Sequence, residues 1–178
     1  MASPSRLHRL NYFDGRLLTA EDFRAEQAYL LVRARRHNRH VHGWGVIGGL
    51  DVGVTGNFVE VSPGSAIDCA GNELVVENGV ALSMPPTARR LVVLLRYVEH
   101  GVDPLPALQA DPAAGEGAQF SRIEEGCELH LDPGFAVDLH PKLPPGSPGC
   151  GEAHPLPIAL VQRPRTAWRV KPLSRRMA

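Results

Sequence analysis

The histidines and cysteines of this chain are the side chains best able to bind a metal, and three histidines lie close together in sequence. His37, His40 and His42 fall within one short stretch, and the first two share a face if that stretch is helical. A closed zinc site needs four ligands, usually at a recognisable spacing. These three histidines are therefore only weak candidates for metal ligands.

Two further pairs could complete such a site. Cys127-x-x-His130 and Cys150-x-x-x-His154 have ligand-type side chains at short spacing, but they contribute only if the fold brings them together. The alternative is that the histidines of 37–42, with neighbouring arginines, lie at the end of a helix and complement its dipole. We favour this alternative and predict neither a metal nor any other cofactor.

Nucleophilic catalysis has no support in the sequence. The chain has no G-x-S-x-G motif, and neither Cys69 nor Cys127 has a local partner that would lower the pKa of its thiol. Asp14 precedes a glycine, as turn aspartates do, and Asp68 also fits a turn better than a general base. The sequence therefore predicts a protein that is not an enzyme.

A helix is predicted over residues 20–41. Thr19 is a suitable N-cap, Asp22 follows at the capping-box position, and Gly43 marks the end. One stripe of the helix is mixed in character, which predicts packing on a sheet or a partly polar helix–helix contact. The stripe consists of Phe23, Gln27, Leu30, Ala34, His37 and Val41.

From Val46 onward the hydrophobic period changes to two, and about six to eight short strands are predicted. Two loops rich in Pro, Gly and Ala interrupt them at 99–119 and 132–157. The predicted fold class is α+β, with one N-terminal helix packed on a β-rich, sandwich or barrel-like domain. We divide the chain into an N-terminal arm (1–18), a single domain (19–162) and a basic C-terminal arm (163–178).

Charge is distributed unevenly although its sum is zero. Residues 1–42 carry a net +4, residues 43–152 a net −10, and residues 153–178 a net +6. The basic ends either fold back onto the acidic middle or reach an acidic face of a neighbouring subunit. Nucleic-acid binding is not expected, because aromatic residues do not interleave the basic ends and the middle would repel phosphate.

Neither a signal peptide nor a long apolar run is evident in the sequence, so we expect synthesis in the cytoplasm and no transmembrane segment. Three cysteines without a C-x-x-C motif fit a reducing compartment.

The segment NYFDGRLLTAEDFRAEQAYLLVRARRHNRHVHGWGVIGGLDV resembles the N-terminal region of structural, baseplate- or fibre-associated components of phage-tail-like contractile injection systems. VEVSPGSAIDCAGNELVVE is similar to a hairpin of baseplate-proximal and fibre-attachment modules. The likeness extends over roughly residues 10–131. The matched positions of the first segment are Tyr12, Asp14, Gly15, Leu17, Leu18, Asp22, Phe23, Glu26, Gln27, Tyr29, His37, Asn38, His42, Gly43, Gly45, Val46, Gly49, Leu50 and Val52.

The resemblance implies a non-enzymatic assembly protein of a contractile particle or virion, in its baseplate, fibre-attachment, spike-associated or cap region. We expect other structural subunits as partners and a homo-oligomer, either trimer or hexamer. The predicted subunit contacts are Arg33, Arg35, Arg36, Trp44, Trp168 and Arg169.

For Trp44 the alternative is a core position that seals the helix–sheet junction, and for 163–178 it is a solvated end. Truncation after Gln162 is expected to weaken assembly and to leave a folded core. Two other functions stay open: a carbohydrate- or surface-binding module that uses the two long loops, and a metal-dependent hydrolase.

Overall fold

The structure is a computed structural model that describes residues 7–105, 119–137, 140 and 142–174. Helix α1 covers Ala20–His37, and a π-helical turn, Asn38–His42, continues it. The strands follow in the order β1 Gly45–Gly49, β2 Val52–Thr55, β3 Phe58–Val61, β4 Gly64–Ile67, β5 Glu73–Val76, β6 Val80–Ser83, β7 Arg90–Leu105, β8 Gln119–Asp132, β9 Leu156–Gln162 and β10 Arg169–Pro172. The predicted α+β class is confirmed.

Helix α1 begins where the sequence predicts. The Asp22 amide donates to Thr19 Oγ1 at 3.3 Å, and the Thr19 amide donates to Asp22 Oδ2 at 3.0 Å, so the capping box is complete. The hydrogen bond from the Thr19 backbone lowers the pKa of the Asp22 carboxyl. The helical segment ends at Gly43, whose φ of +70° favours glycine.

Along its length α1 buries no residue, and every member of the mixed stripe from Phe23 to Val41 is exposed. The expectation that the helix packs on the β domain therefore holds only for its C-terminal end. There Asn38 donates to the Gly71 carbonyl and to Glu73 Oε1, each at 3.1 Å. A Cβ on Gly71 would lie 2.1 Å from the Arg35 carbonyl oxygen, so this crossing requires glycine.

The strands form three antiparallel sheets in the orders β1-β4-β5, β2-β3-β6 and β10-β9-β7-β8. Each sheet contributes side chains to one shared apolar core, so the strands act as a single folding unit. Fully buried members of this core include Val46, Leu50, Val59, Val61, Leu74, Leu91, Val93, Leu95, Leu156, Ile158 and Val161.

Strand β7 has two parts with different surroundings. Residues 91–95 are buried on both faces between β8 and β9, as the apolar run predicts. Beyond Arg96, β7 pairs only with β8, and the two strands form a largely exposed ribbon of residues 96–105 and 119–128. The prediction of a loop at 99–119 is therefore wrong for residues 99–105, which lie in β7, and for Gln119, which begins β8. Residues 106–118 lie outside the described residues.

The described residues contain ten strands, more than the six to eight expected, and β6 and β10 were not among those expected. The pairing of β10 with β9 places part of the predicted C-terminal arm in the chain's own sheet. Among the helices of the described residues, none is both long and apolar enough to cross a membrane.

Candidate metal centre and subunit-contact surfaces

Four ligand-type side chains converge at one place in the β domain. They are Cys69, His140, Cys150 and His154, and one ligand atom from each lies within 4.8 Å of all the others. The two imidazole Nε2 atoms are 2.9 Å apart, and Cys150 Sγ lies 3.5 Å from His154 Nε2. Two sulfur and two nitrogen donors form the set that structural zinc centres use.

Cys69 is placed by a turn between β4 and β5. The buried Asp68 carboxylate accepts the backbone amides of Ala70, Gly71 and Asn72 at 2.8–2.9 Å. Its second oxygen accepts the Asn72 side-chain amide at 2.8 Å. This confirms Asp68 as a turn residue. The turn fixes the Cys69 side chain, which is fully buried, and burial raises the pKa of its thiol to about 12.

The other three ligand-type residues belong to the second predicted loop, which is fastened to Trp44. The Trp44 amide donates to the Ser147 carbonyl at 3.1 Å, and its carbonyl accepts the Gly146 amide at 2.7 Å. The indole Nε1 donates to the Leu143 carbonyl at 3.2 Å. The Trp44 ring also meets the His140 ring edge to face, with centroids 5.7 Å apart.

The loop reaches Cys69 through its own backbone. The Gly151 amide donates to the Cys69 carbonyl at 3.0 Å, which brings the neighbouring Cys150 beside Cys69. At Gly149 a Cβ would lie 2.3 Å from the same carbonyl oxygen, so the two segments are in close backbone contact. His154 Nδ1 is buried and has no hydrogen-bond partner, while its Nε2 faces the cluster.

The predicted metal candidates are only partly among these residues. Among the residues that the structure describes, the one cluster of this kind excludes His37, His40 and His42. It includes the Cys150-x-x-x-His154 pair. Sequence reasoning missed Cys69 as a ligand and His140 altogether, because neither has a ligand-type neighbour at a recognisable spacing.

The remaining candidates make other contacts. The rings of His37 and His42 meet edge to face with centroids 5.1 Å apart, and His40 Nε2 lies 3.3 Å from the Arg39 guanidinium. Cys127 donates to the Val75 carbonyl at 3.2 Å, and burial raises the pKa of its thiol.

Two of the six predicted subunit contacts are engaged within the chain. Trp44 is only 3% exposed and belongs to the buried core, and its contact with a neighbouring subunit stays a prediction. Arg35 donates to Glu99 Oε1 at 3.2 Å and lies 5.4 Å from the centre of the Tyr97 ring. Burial and the hydrogen bond to Glu99 raise the pKa of Tyr97.

The other four predicted contacts lie at the surface or close to it. Arg33, Arg36 and Arg169 are exposed. Trp168 is partly buried against the core, with the Arg163 guanidinium 5.0 Å from its ring centre. Their role between subunits stays a prediction.

No family model and no curated protein sequence matches this chain. The chain is similar in fold to a solved structure titled "Crystal structure of TssK", with a TM-score of 0.51 and 16% sequence identity. The match covers 93% of this chain and 41% of the TssK chain, so this chain spans about two fifths of that protein's length.

Proposed function

We propose that this chain is a non-enzymatic structural subunit of a contractile phage-tail-like particle and that its role is assembly. The fold likeness to TssK, a type VI secretion baseplate component, supports the coarse assignment to contractile injection systems. The finer position, in the baseplate, fibre-attachment, spike-associated or cap region, follows from the sequence resemblance.

The observation that carries the proposal is helix α1. It has 18 residues, none of them buried, yet it presents large apolar side chains such as Phe23, Leu30 and Val32, which are 52%, 55% and 46% exposed. Most helices in proteins owe their stability to packing of an apolar face. Because the residues that the structure describes leave these apolar side chains exposed, we expect the helix to pack against another subunit.

The N-terminal arm extends this surface. Tyr12 donates to Glu26 at 2.5 Å and Arg16 pairs with Asp22 at 2.6 Å, so the arm lies along the helix. Phe13 and Leu17 of the arm are 64% and 84% exposed. We assign the exposed apolar side chains of the arm and the helix to contacts between copies of this chain, in a trimer or a hexamer.

Charge supports the same arrangement. The exposed β7–β8 ribbon carries Glu124 and Glu125, in addition to Glu128, which pairs with Arg96 of the same ribbon. Arg33 and Arg36 are exposed on the helix. A ribbon of one subunit would attract the helix of the next, which favours a defined orientation between copies.

The alternative functions receive less support from the described residues. A carbohydrate-binding module would need aromatic side chains in its loops, whereas Phe120 lies on β8 and Phe135 is partly buried. A metal-dependent hydrolase needs an open coordination position, whereas the observed cluster supplies four protein ligands.

The test is the solution mass of the full chain, measured by light scattering across a concentration series. We expect a wild-type oligomer and a shift toward monomer for Leu30→Glu, which places a charge in the apolar helix surface. The matched control is Ile47→Glu, because Ile47 is similarly exposed at 52% but lies on β1. A monomeric wild type, or equal dissociation of both folded variants, would contradict the proposal.

A further inference from the structure

We propose that Cys69, His140, Cys150 and His154 bind one Zn²⁺ ion as a structural Cys₂His₂ centre that fastens His140 and residues 142–155 to the β domain. This inference is independent of the proposed function, because it concerns how one chain holds itself together.

The donor atoms determine the kind of metal. Two thiolates and two imidazoles suit zinc, whereas calcium and magnesium require oxygen ligands. No carboxylate belongs to the group of four. A closed set of four protein ligands is typical of structural zinc, since catalytic zinc keeps one position for water or substrate.

The spacing of the donors fits a tetrahedron. Zinc–sulfur bonds of about 2.3 Å and zinc–nitrogen bonds of about 2.0–2.1 Å place two nitrogens about 3.3 Å apart, and sulfur and nitrogen about 3.6 Å apart. The observed separations are 2.9 Å between the His140 and His154 Nε2 atoms and 3.5 Å between Cys150 Sγ and His154 Nε2. These two separations need shifts of only a few tenths of an ångström to reach the tetrahedral values, and the other donor pairs lie within 4.8 Å of each other.

The surroundings hold the ligands before a metal arrives. The Asp68 turn fixes Cys69, the Gly151 amide ties the loop to the Cys69 carbonyl, and Trp44 packs its ring against His140. Preorganised ligands lose little conformational entropy on binding. The Nε2 atoms of His140 and His154 lie 2.9 Å apart, so one cation could accept a lone pair from each ring.

The consequence is a cross-link between distant parts of the chain. Cys69 follows β4, whereas the other three ligands precede β9, and residues 142–155 have no helix or strand of their own. A metal that joins such segments contributes its binding free energy to folding. Zinc would therefore stabilise the conformation of this Pro- and Gly-rich segment, which has no regular secondary structure to do so.

The first measurement is the metal content of the full chain, purified after expression with added zinc and dialysed against metal-free buffer. We expect about one zinc per chain, and tetrahedral, thiolate-ligated absorption bands after exchange for Co²⁺. The variants Cys150→Ser and His154→Ala should each weaken zinc binding at least tenfold. Cys127→Ser is the matched control, because Cys127 contacts Val75 instead of the cluster.

A second measurement uses the wild-type chain and so does not depend on the folding of variants. Alkylation of the exposed Cys150, followed by mass spectrometry, should be slow with zinc and fast after chelation, while the rate at Cys127 stays unchanged. A disulfide between Cys69 and Cys150, or a metal-free chain with Cys150 equally reactive in both conditions, would overturn the proposal. Neither result depends on the oligomeric mass, which tests the assembly role separately.

Discussion

At the scale of single residues, Asp68 is the buried polar group with the most structural consequence. Its carboxylate is 1% exposed and accepts four hydrogen bonds from the turn that carries Cys69. Buried charge is tolerated only where hydrogen bonds compensate its desolvation, and here the backbone amides do so. Asp68 therefore holds the turn in place, and the turn positions Cys69.

We predict that Asp68→Ala lowers the free energy of unfolding by about 3 kcal/mol, because the backbone amides of Ala70 and Asn72 and the side-chain amide of Asn72 lose their acceptor. The Gly71 amide keeps its hydrogen bond to the Asp68 carbonyl. Asp68→Asn should cost less, since an amide oxygen still accepts from the backbone. Chemical denaturation measures both, with the exposed Glu77→Ala as a surface control. An Asp68→Ala variant as stable as the control would show that the turn does not depend on this carboxylate.

At the scale of elements, β10 brings part of the predicted C-terminal arm into the fold. Arg169–Pro172 pairs with β9, Val170 packs against the core, and the Val46 amide donates to the Ser174 carbonyl at 2.8 Å. The expectation that truncation after Gln162 leaves the core intact is therefore revised. Removing these residues exposes an edge of β9 and part of the apolar core.

We predict that truncation after Gln162 lowers the free energy of unfolding by about 2–4 kcal/mol, from lost hydrogen bonds and lost apolar burial. Truncation after Ser174 is the control, because it keeps β10. Thermal and chemical denaturation should separate the two chains clearly. If both truncated chains unfold like the full chain, β10 contributes little to stability.

At the scale of the whole molecule, the proposed self-association rests on the charge pattern and on the exposed apolar side chains of α1. The basic ends and the acidic middle are only partly matched within one chain, as in the Arg35–Glu99 pair. On the proposed arrangement, Arg33 and Arg36 of the helix meet Glu124 and Glu125 of the ribbon in another copy, and all four are exposed. Long-range attraction of this kind steers association and weakens with salt.

We predict that self-association weakens by about tenfold when salt rises from 0.1 to 1 M, because the Debye length falls from about 10 to about 3 Å. The double variant Arg33→Glu/Arg36→Glu should associate less at low salt and lose most of this dependence. Arg89→Glu is the control, since Arg89 is exposed on the β domain. Light scattering in both salts measures the effect, and an unchanged salt dependence in the double variant would exclude these arginines as contacts.

The sequence by itself determined the features that depend on neighbouring residues. The Thr19 cap, the helix end at Gly43 and the Asp68 turn rest on hydrogen bonds or backbone conformations within a few residues. The period-two pattern likewise predicted most strands, because alternating side chains face opposite sides of a sheet.

Only the tertiary structure decided which distant segments meet. It brought Cys69 to His140 and left the stripe of α1 uncovered, although that stripe has the period of a packed helix. It also added β10 to the sheet, against the basic composition of the segment. These outcomes depend on the total packing free energy between segments that are far apart in sequence. The spacing of residues within one segment does not determine that free energy.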